Sequence, residues 1–263
     1  MAWATVCAMV DMHEPTIPWL EAGAAFPPAA CALGPDTDAP GLVAAGGRLD
    51  VHSLRAAYSH GIFPWYSDGQ PILWWSPDPR MVLQVDRFRL HPSMRKTLRR
   101  FIRSPGCEIR FDSDFAQVIA QCASHPRDGG GGTWIVADMQ LAYRQLHRAG
   151  LAHSVETWID GELVGGLYCV AVGQAVFGES MFSRARDASK IALSALVAFC
   201  RFHGIRAIDC QQNTRHLASL GAAEMPRAAF VRHCQSAIDR PGPPWVFEPL
   251  YWQQLLPDRD ANQ

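Results

Sequence analysis

HSVETWIDGELVGGLYCVAVGQAVFGE, residues 153–179, decides the fold class. Apolar residues crowd three short runs, 153–159, 163–172 and 175–179, separated by Asp160-Gly161 and Gly173-Gln174. Two-residue hairpin turns need backbones that accept positive φ, and Asp-Gly is a strong signal for them. The three runs therefore predict consecutive antiparallel strands. The middle one, LVGGLYCVAV, is apolar on both faces, so it is expected at the centre of a sheet covered on both sides.

Downstream, residues 188–203 predict an apolar helix with Asp187 at its cap and Gly204 after it. A strand at 205–210 follows, then short helices around 214–220 and 227–238, the second entered through Pro226. Upstream, a helix is predicted from Asp138 to Gly150, and another over 113–123 with Asp112 or Ser113 as its cap. SMRKTLRRFIR, residues 93–103, predicts an amphipathic helix capped by Ser93, with Met94, Leu98, Phe101 and Ile102 on one arc. Arg95, Lys96, Arg99, Arg100 and Arg103 fill the other side, and no acidic residue occurs from Arg87 to Cys107. Residues 49–60 predict a short helix ended by Gly61. Pro64, Pro71, Pro77 and Pro79 then forbid regular helix through 61–83, an extended stretch lined by Phe63, Trp65, Tyr66, Trp74 and Trp75. The element order predicts an α+β fold, with helices flanking a mostly antiparallel sheet. A boundary near residue 85 divides a small N-terminal domain, 1–85, from a larger one, 86–263.

The 263 residues carry a net charge of −1, which leaves any contact with nucleic acid to a local patch. None of the eight cysteines forms a CxxC pair, and no Cys/His cluster has zinc spacing. The N-terminus lacks a basic n-region, and no apolar stretch is long enough to span a bilayer. Reduced thiols, a cytoplasmic location and no membrane contact are the expectations.

Glu179 closes the run AVFGE, and Asp209 closes IRAID. Both carboxylates are expected at strand ends, where loops begin and sites are commonly built. Gln211 follows two residues after Asp209, on the same face if the strand continues. The residues alone leave a structural alternative open: Glu179 pairs with Arg184 or Lys190, Asp209 caps the next helix, and Gln211 lies on the surface. Gly129–Gly132 lead into Thr133-Trp134, which reads either as a linker or as a lip carrying Trp134 to a flat ligand. His153 and His216 have no triad partners, and no GxSxG occurs.

Several long motifs then recur in a fixed order. They are GIFPWYSDGQPILWWSPDPRMVL at 61–83, GTWI at 132–135, HSVETW, DGELVGGLYCV, FGESMFSR at 177–184, DASKIAL at 187–193, and DCQ with HLASLGA within 209–222. Over residues 40–235 the chain resembles the bacterial leucyl/phenylalanyl-tRNA–protein transferase family. That resemblance implies a small N-terminal domain and an acetyltransferase-like (GNAT-type) C-terminal domain. It implies transfer of Leu or Phe, and less efficiently Met, from aminoacyl-tRNA to proteins beginning with Arg or Lys, creating an N-degron. It places the catalytic pair on Asp209 and Gln211, acceptor binding on Glu179, and contact with the aminoacyl-adenosine on Trp65 and Trp134. Met181 and Ser183 fall in the motif of the amino-acid pocket. Leu167 and Val176 belong to that pocket too, but stand where other apolar side chains are expected. Further departures are Gln212-Asn213 after DCQ, the four glycines before Thr133, and an N-terminal extension of about fifteen residues.

On this reading the donor is an activated ester, so no ATP, CoA or metal is expected. The nucleophile is an α-amino group with a pKa of about 8, and the main task is positioning. Gln211 is expected to hydrogen-bond the amine and Asp209 to orient Gln211. Glu179 is expected to hold the acceptor's cation, and the basic helix to contact tRNA phosphates. The partners are Leu-tRNA, Phe-tRNA and proteins with N-terminal Arg or Lys, served by a monomer. Two rivals stand beside this reading: an acyl-CoA N-acyltransferase, which the glycine-poor DASKIAL disfavours, and a non-catalytic N-terminus reader, which leaves DCQ unexplained.

Overall fold

A computed structural model describes residues 17–124 and 135–257. The N-terminal part forms a small four-stranded sheet from β1 (Trp19–Leu20), β2 (Leu42–Gly46), β3 (Phe63–Pro64) and β4 (Leu73–Trp75), with α1 (Val51–Ser59) between β2 and β3. Asp50 caps α1 by accepting the Ser53 N–H at 2.7 Å. The proline-rich stretch is extended, as expected, and buries Trp74, whose indole N–H donates to the Gly46 carbonyl.

The larger sheet has seven strands in the order β11-β5-β10-β9-β8-β7-β6. In chain order its elements are β5 (Arg80–Gln84), α2 (Pro92–Arg103), β6 (Cys107–Phe111), α3 (Phe115–Ser124), α4 (Ala137–Arg148), β7 (Ala152–Ile159), β8 (Glu162–Val172), β9 (Ala175–Ser183), α5 (Ala188–Phe202), β10 (Ala207–Asp209), α6 (Arg215–Ser219), β11 (Ala223–Met225) and α7 (Arg227–Ile238). All neighbours pair antiparallel except β9 and β10, which run parallel across the α5 crossover. The α+β class and the mostly antiparallel sheet are as predicted.

The hairpin logic holds in detail. Asp160 and Gly161 both have positive φ, and Ile159 pairs with Glu162 across them. β8 alternates between two cores: Leu163, Tyr168, Val170 and Val172 face one, while Leu167, Cys169 and Ala171 face the other. Gly165 is required where α5 begins, because a Cβ there would lie 2.5 Å from the Ala188 Cβ. The second core packs α2, α5 and the C-terminal segment around Trp252 against the sheet.

Several boundaries differ from expectation. β5 pairs with β10 and β11, so a division at residue 85 would hand a strand of the large sheet to the small domain. The change of sheet falls between Trp75 and Arg80. α2 starts at Pro92 with His91 at its cap, not Ser93, because Pro supplies a preset φ at the first helical position. Ile102 is exposed; it sits at the rim of the apolar arc, beyond the reach of the sheet. The cap before α3 is Asp114, whose carboxylate accepts the Gln117 N–H, while Asp112 binds His153 and the Ser154 N–H. Cys107, Cys169, Cys200, Cys210 and Cys234 carry free thiols. No helix among the described residues is long and apolar enough to cross a membrane.

Candidate active site

Arg80, the first residue of β5, is fully buried and so is its partner Asp209, at 0% and 1% exposure. Nε donates to Oδ1 at 2.7 Å and Nη2 to Oδ2 at 2.6 Å, a bidentate pair. Nη1 donates to the Gly61 carbonyl, and the rings of Phe63 and Phe230 lie 4.8 and 4.5 Å from the guanidinium. Asp209 Oδ1 also accepts the backbone N–H of Gln211 at 3.0 Å.

That last bond shapes the site. β10 stops at Asp209, and Gln211 adopts φ +54°, a left-handed conformation costly for a residue with a Cβ. The Met81 N–H donates to the Gln211 carbonyl and so pins the turn from β5. The strand does not continue, and Asp209 and Gln211 do not share a face. The turn instead carries the Gln211 amide to Glu179, Nε2 to Oε1 at 3.5 Å.

Glu179 lies inside β9, not at its end as AVFGE implies. Tyr168 pairs with Ser180 and Cys169 with Gly178, so Glu179 is the extra residue of a bulge. Bulges redirect side chains and recur beside active sites. Its carboxyl meets two buried phenols: Tyr58 of α1 donates to Oε1 at 2.8 Å, and Tyr143 of α4 to Oε2 at 3.3 Å. The two phenol oxygens are 2.5 Å apart, and either can donate. Burial is the main cause that pushes Glu179 up from 4.5 to about 8; the phenol hydrogen bonds and Arg80 act against it, while Asp209 adds to it. Burial, followed by the Glu179 charge, also raises both phenols well above their usual range.

Glu179 and Gln211 stand where two cavities meet. One, of about 290 Å³, has Phe63, Pro64 and Trp65 on its wall, and Trp65 is 37% exposed. The other, of about 240 Å³, is apolar, lined by Leu167, Met181, Leu193, Leu196 and Ile208, with His216 also on its wall. Cys210, Thr214 and Leu217 are common to both. Of the expected pocket residues, then, Trp65, Met181 and Leu167 are present. Ser183 is not: its hydroxyl donates to the Ala185 carbonyl and accepts the Ser189 N–H, tying β9 to the start of α5. Val176 is not either; it packs in the core where β9 pairs with Ile208. Trp134 and Gly129–Gly132 lie outside the described residues.

The structural alternative for Glu179 fails: among the described residues Glu179 makes no ion pair with Arg184 or Lys190, and Lys190 pairs with Asp187. Asp209 caps no helix; Thr214 caps α6 by accepting the Leu217 N–H. His153 is structural, stacked on Trp245 at 4.0 Å and bonded to Asp112. No group of three His, Cys, Asp or Glu among the described residues is arranged to hold a metal ion. Arg95, Lys96, Arg100 and Arg103 are exposed and Arg99 is half-buried. None of the five makes an ion pair among the described residues.

Sequence reading missed Arg80, Tyr58 and Tyr143. Arg80 had a signal, a lone cation opening the apolar run MVL, since a buried guanidinium demands an anion. The tyrosines had none beyond lying on the apolar faces of two helices.

A family model described as leucyl/phenylalanyl-tRNA protein transferase matches residues 82–235, and one described as its N-terminal domain matches residues 47–78. A leucyl/phenylalanyl-tRNA–protein transferase of Albidiferax ferrireducens is 63% identical over 247 residues, 94% of this chain and 97% of that one. One of a Polaromonas species is 64% identical over 240 residues, 91% and 94% of the two chains. Among solved structures, a GCN5-related N-acetyltransferase from Kribbella flavida shows a distant likeness, with TM-score 0.35 and 10% identity, covering 64% of this chain and 58% of that one.

Proposed function

The chain belongs to the leucyl/phenylalanyl-tRNA–protein transferase family, and from that premise we propose that it transfers Leu or Phe, and less efficiently Met, from aminoacyl-tRNA to the N-terminal Arg or Lys of acceptor proteins. The product is an N-degron, and the enzyme is an aminoacyltransferase working as a cytoplasmic monomer. The observation that carries the reading is the junction of an apolar cavity with an aromatic-walled one, bridged by Glu179 and Gln211.

The apolar cavity takes the Leu or Phe side chain, and Trp65 stacks on the terminal adenosine. The ester carbon then lies near Gln211, whose amide oxygen accepts a hydrogen bond from the incoming amine. The amine attacks the carbonyl carbon, the C–O bond to adenosine breaks, and the leaving 3′-oxygen takes the proton the amine sheds. The reaction uses the energy of the ester, so ATP, CoA and a metal have no role in it.

Asp209 acts as a positioning residue in this scheme. It is buried, lines neither cavity, and spends its charge on Arg80. Its contribution is the hydrogen bond to Gln211 N–H that fixes the left-handed turn. The exposed cations of α2 supply sequence-independent contacts to tRNA phosphates.

The test is labelled Leu-tRNA with an Arg-starting peptide and no CoA. Label in the peptide is the expected result. Label released only as free Leu, or transfer that requires CoA, overturns the reading.

A further inference from the structure

A third cavity, of about 580 Å³, shares no residue with the two that meet at Glu179. It is a groove between the β1–β2 side of the small sheet and the outer face of α4. Two large apolar side chains on its walls are open to solvent, Trp19 at 64% and Leu141 at 58% exposure. Large apolar side chains exposed around one concavity mark a contact surface. Tyr66 also lines the groove but is only 8% exposed, and its hydroxyl has no hydrogen-bond partner among the described residues. A buried phenol ordinarily finds one. Burial, then the charges of Asp138 and Asp68, push this phenol up to about 12. Asp138 and Arg48 are the charged residues of the wall, and neither makes an ion pair among the described residues.

We propose that this groove holds the acceptor polypeptide downstream of its first residue, with an apolar or aromatic side chain against Trp19 and Leu141 and a basic one at Asp138. This rests on the transferase reading and deepens it, by adding a docking surface outside the two cavities. Two elements make the groove continuous with them. Trp65 stands on the wall of the aromatic cavity and Tyr66, the next residue, lines the groove. On α4, Tyr143 reaches Glu179 while its neighbour Ala142 lines the groove. Consecutive Cα atoms are about 3.8 Å apart, so an extended chain leaving Gln211 enters the groove within a few residues. Gln70 and Gln145 on its wall offer amides to the peptide backbone.

Charge favours a polypeptide over the other substrate. The groove sets one cation, Arg48, against one anion, Asp138, with the Asp68 charge acting on Tyr66. Such a wall has no surplus of cations with which to hold phosphates. The cationic face of α2 is rooted elsewhere. His91 at its cap bonds the Ser219 carbonyl, and the Arg89 N–H donates to the Leu220 carbonyl, both at the end of α6. Thr214 and Leu217, at the start of α6 and within it, line the two cavities, and no residue of α2 or α6 lines the groove. Nucleic acid arriving along α2 and α6 therefore leaves the groove open for the acceptor.

The test measures Leu transfer to Arg-starting peptides, from a dipeptide amide to an octapeptide, with Leu-tRNA saturating. Docking predicts that lengthening the peptide lowers KM by about tenfold when one downstream position is Phe and another Lys, with kcat unchanged. A KM independent of length and downstream sequence overturns the proposal. Trp19→Ala and Leu141→Ser alter exposed side chains; each should raise KM for the octapeptide several-fold and leave the dipeptide, which ends short of the groove, unaffected. Asp138→Lys should turn the downstream preference from Lys to Glu, a gain that a misfolded variant cannot imitate. A preference for Lys retained in that variant removes Asp138 from the site. If the variants instead raise KM for Leu-tRNA and leave the octapeptide alone, the groove serves RNA and the proposal fails. Absence of Leu transfer to every peptide counts against the transferase reading, whereas transfer without dependence on length counts against the groove alone.

Discussion

Asp209 and Glu179 are carboxylates on adjacent parallel strands, and their surroundings are opposite. Asp209 has a guanidinium across both oxygens and a backbone N–H besides. Glu179 is within hydrogen-bond reach of two phenols and a neutral amide. A carboxylate matched to a buried cation is a fixed charge that holds other groups in place. One that is buried among neutral donors is pushed toward its protonated form. Asp209 is expected to orient Gln211, and it does reach the Gln211 backbone N–H, while the Gln211 side-chain amide reaches Glu179 instead. Asp209 is buried and lines neither cavity, and Glu179 is the carboxylate that lines both.

The largest effect expected from breaking the comparison is on Asp209. Asp209→Ala leaves the Arg80 guanidinium buried without its anion, so urea denaturation should register a loss of about 3–5 kcal/mol, together with loss of transfer. Replacing the pair, Arg80→Met with Asp209→Leu, should recover much of that stability but not the activity, because no carboxylate then holds the Gln211 turn. Near wild-type transfer by the pair variant would show that the clamp is dispensable.

Gln211 sharpens the contrast next. Gln211→Ala should lower kcat by about a hundredfold or more with tRNA binding retained. Gln211→Gly should be as inactive, yet about 1 kcal/mol more stable than the Ala variant, since glycine relieves the left-handed backbone. Equal stability of the two would mean that the turn stores no strain.

Glu179 should reveal itself through pH. Its carboxyl rises from 4.5 to about 8 on folding, so between those values the folded state holds more proton than the unfolded. Stability from this group is therefore full below about 4.5 and declines as pH rises through 8. Glu179→Gln should flatten that decline in thermal melts from pH 5 to 9, and an identical profile in the variant would contradict the shift. The smallest effect on stability, within about 0.5 kcal/mol, belongs to charge reversal at Arg95, Arg99 and Arg103. The same variant should weaken tRNA binding and reduce its salt slope by up to about three; an unchanged slope would exclude this face.

Much of the frame was legible in the sequence. Asp160-Gly161 and Gly173-Gln174 placed two hairpins, the two-faced apolar run of β8 placed the central strand, and the arginine periodicity of α2 placed a cationic face. These are local signals, carried by backbone preference and side-chain spacing over a few residues. Caps and ends were read less well. His91-Pro92 overrode Ser93, and β9 ran past Glu179 to Ser183, because pairing with β8 extends a strand that local composition would end. The family motifs led to Glu179, Gln211, Trp65, Met181 and Leu167 at one junction, but they also drew in Ser183 and Val176, which the fold uses for a turn and for the core.

By itself the sequence determined the class of fold, the central hairpins, the cationic helix and the family. Tertiary structure alone decided what each acidic group does. Arg80 lies 129 positions from Asp209, and Tyr58 and Tyr143 lie 121 and 36 from Glu179. A carboxylate's ionisation depends on the charges and donors within a few ångströms of it, and chain spacing does not report which distant side chains those are. The bulge at Glu179 and the left-handed turn at Gln211 are likewise fixed by cross-strand pairing and by Asp209.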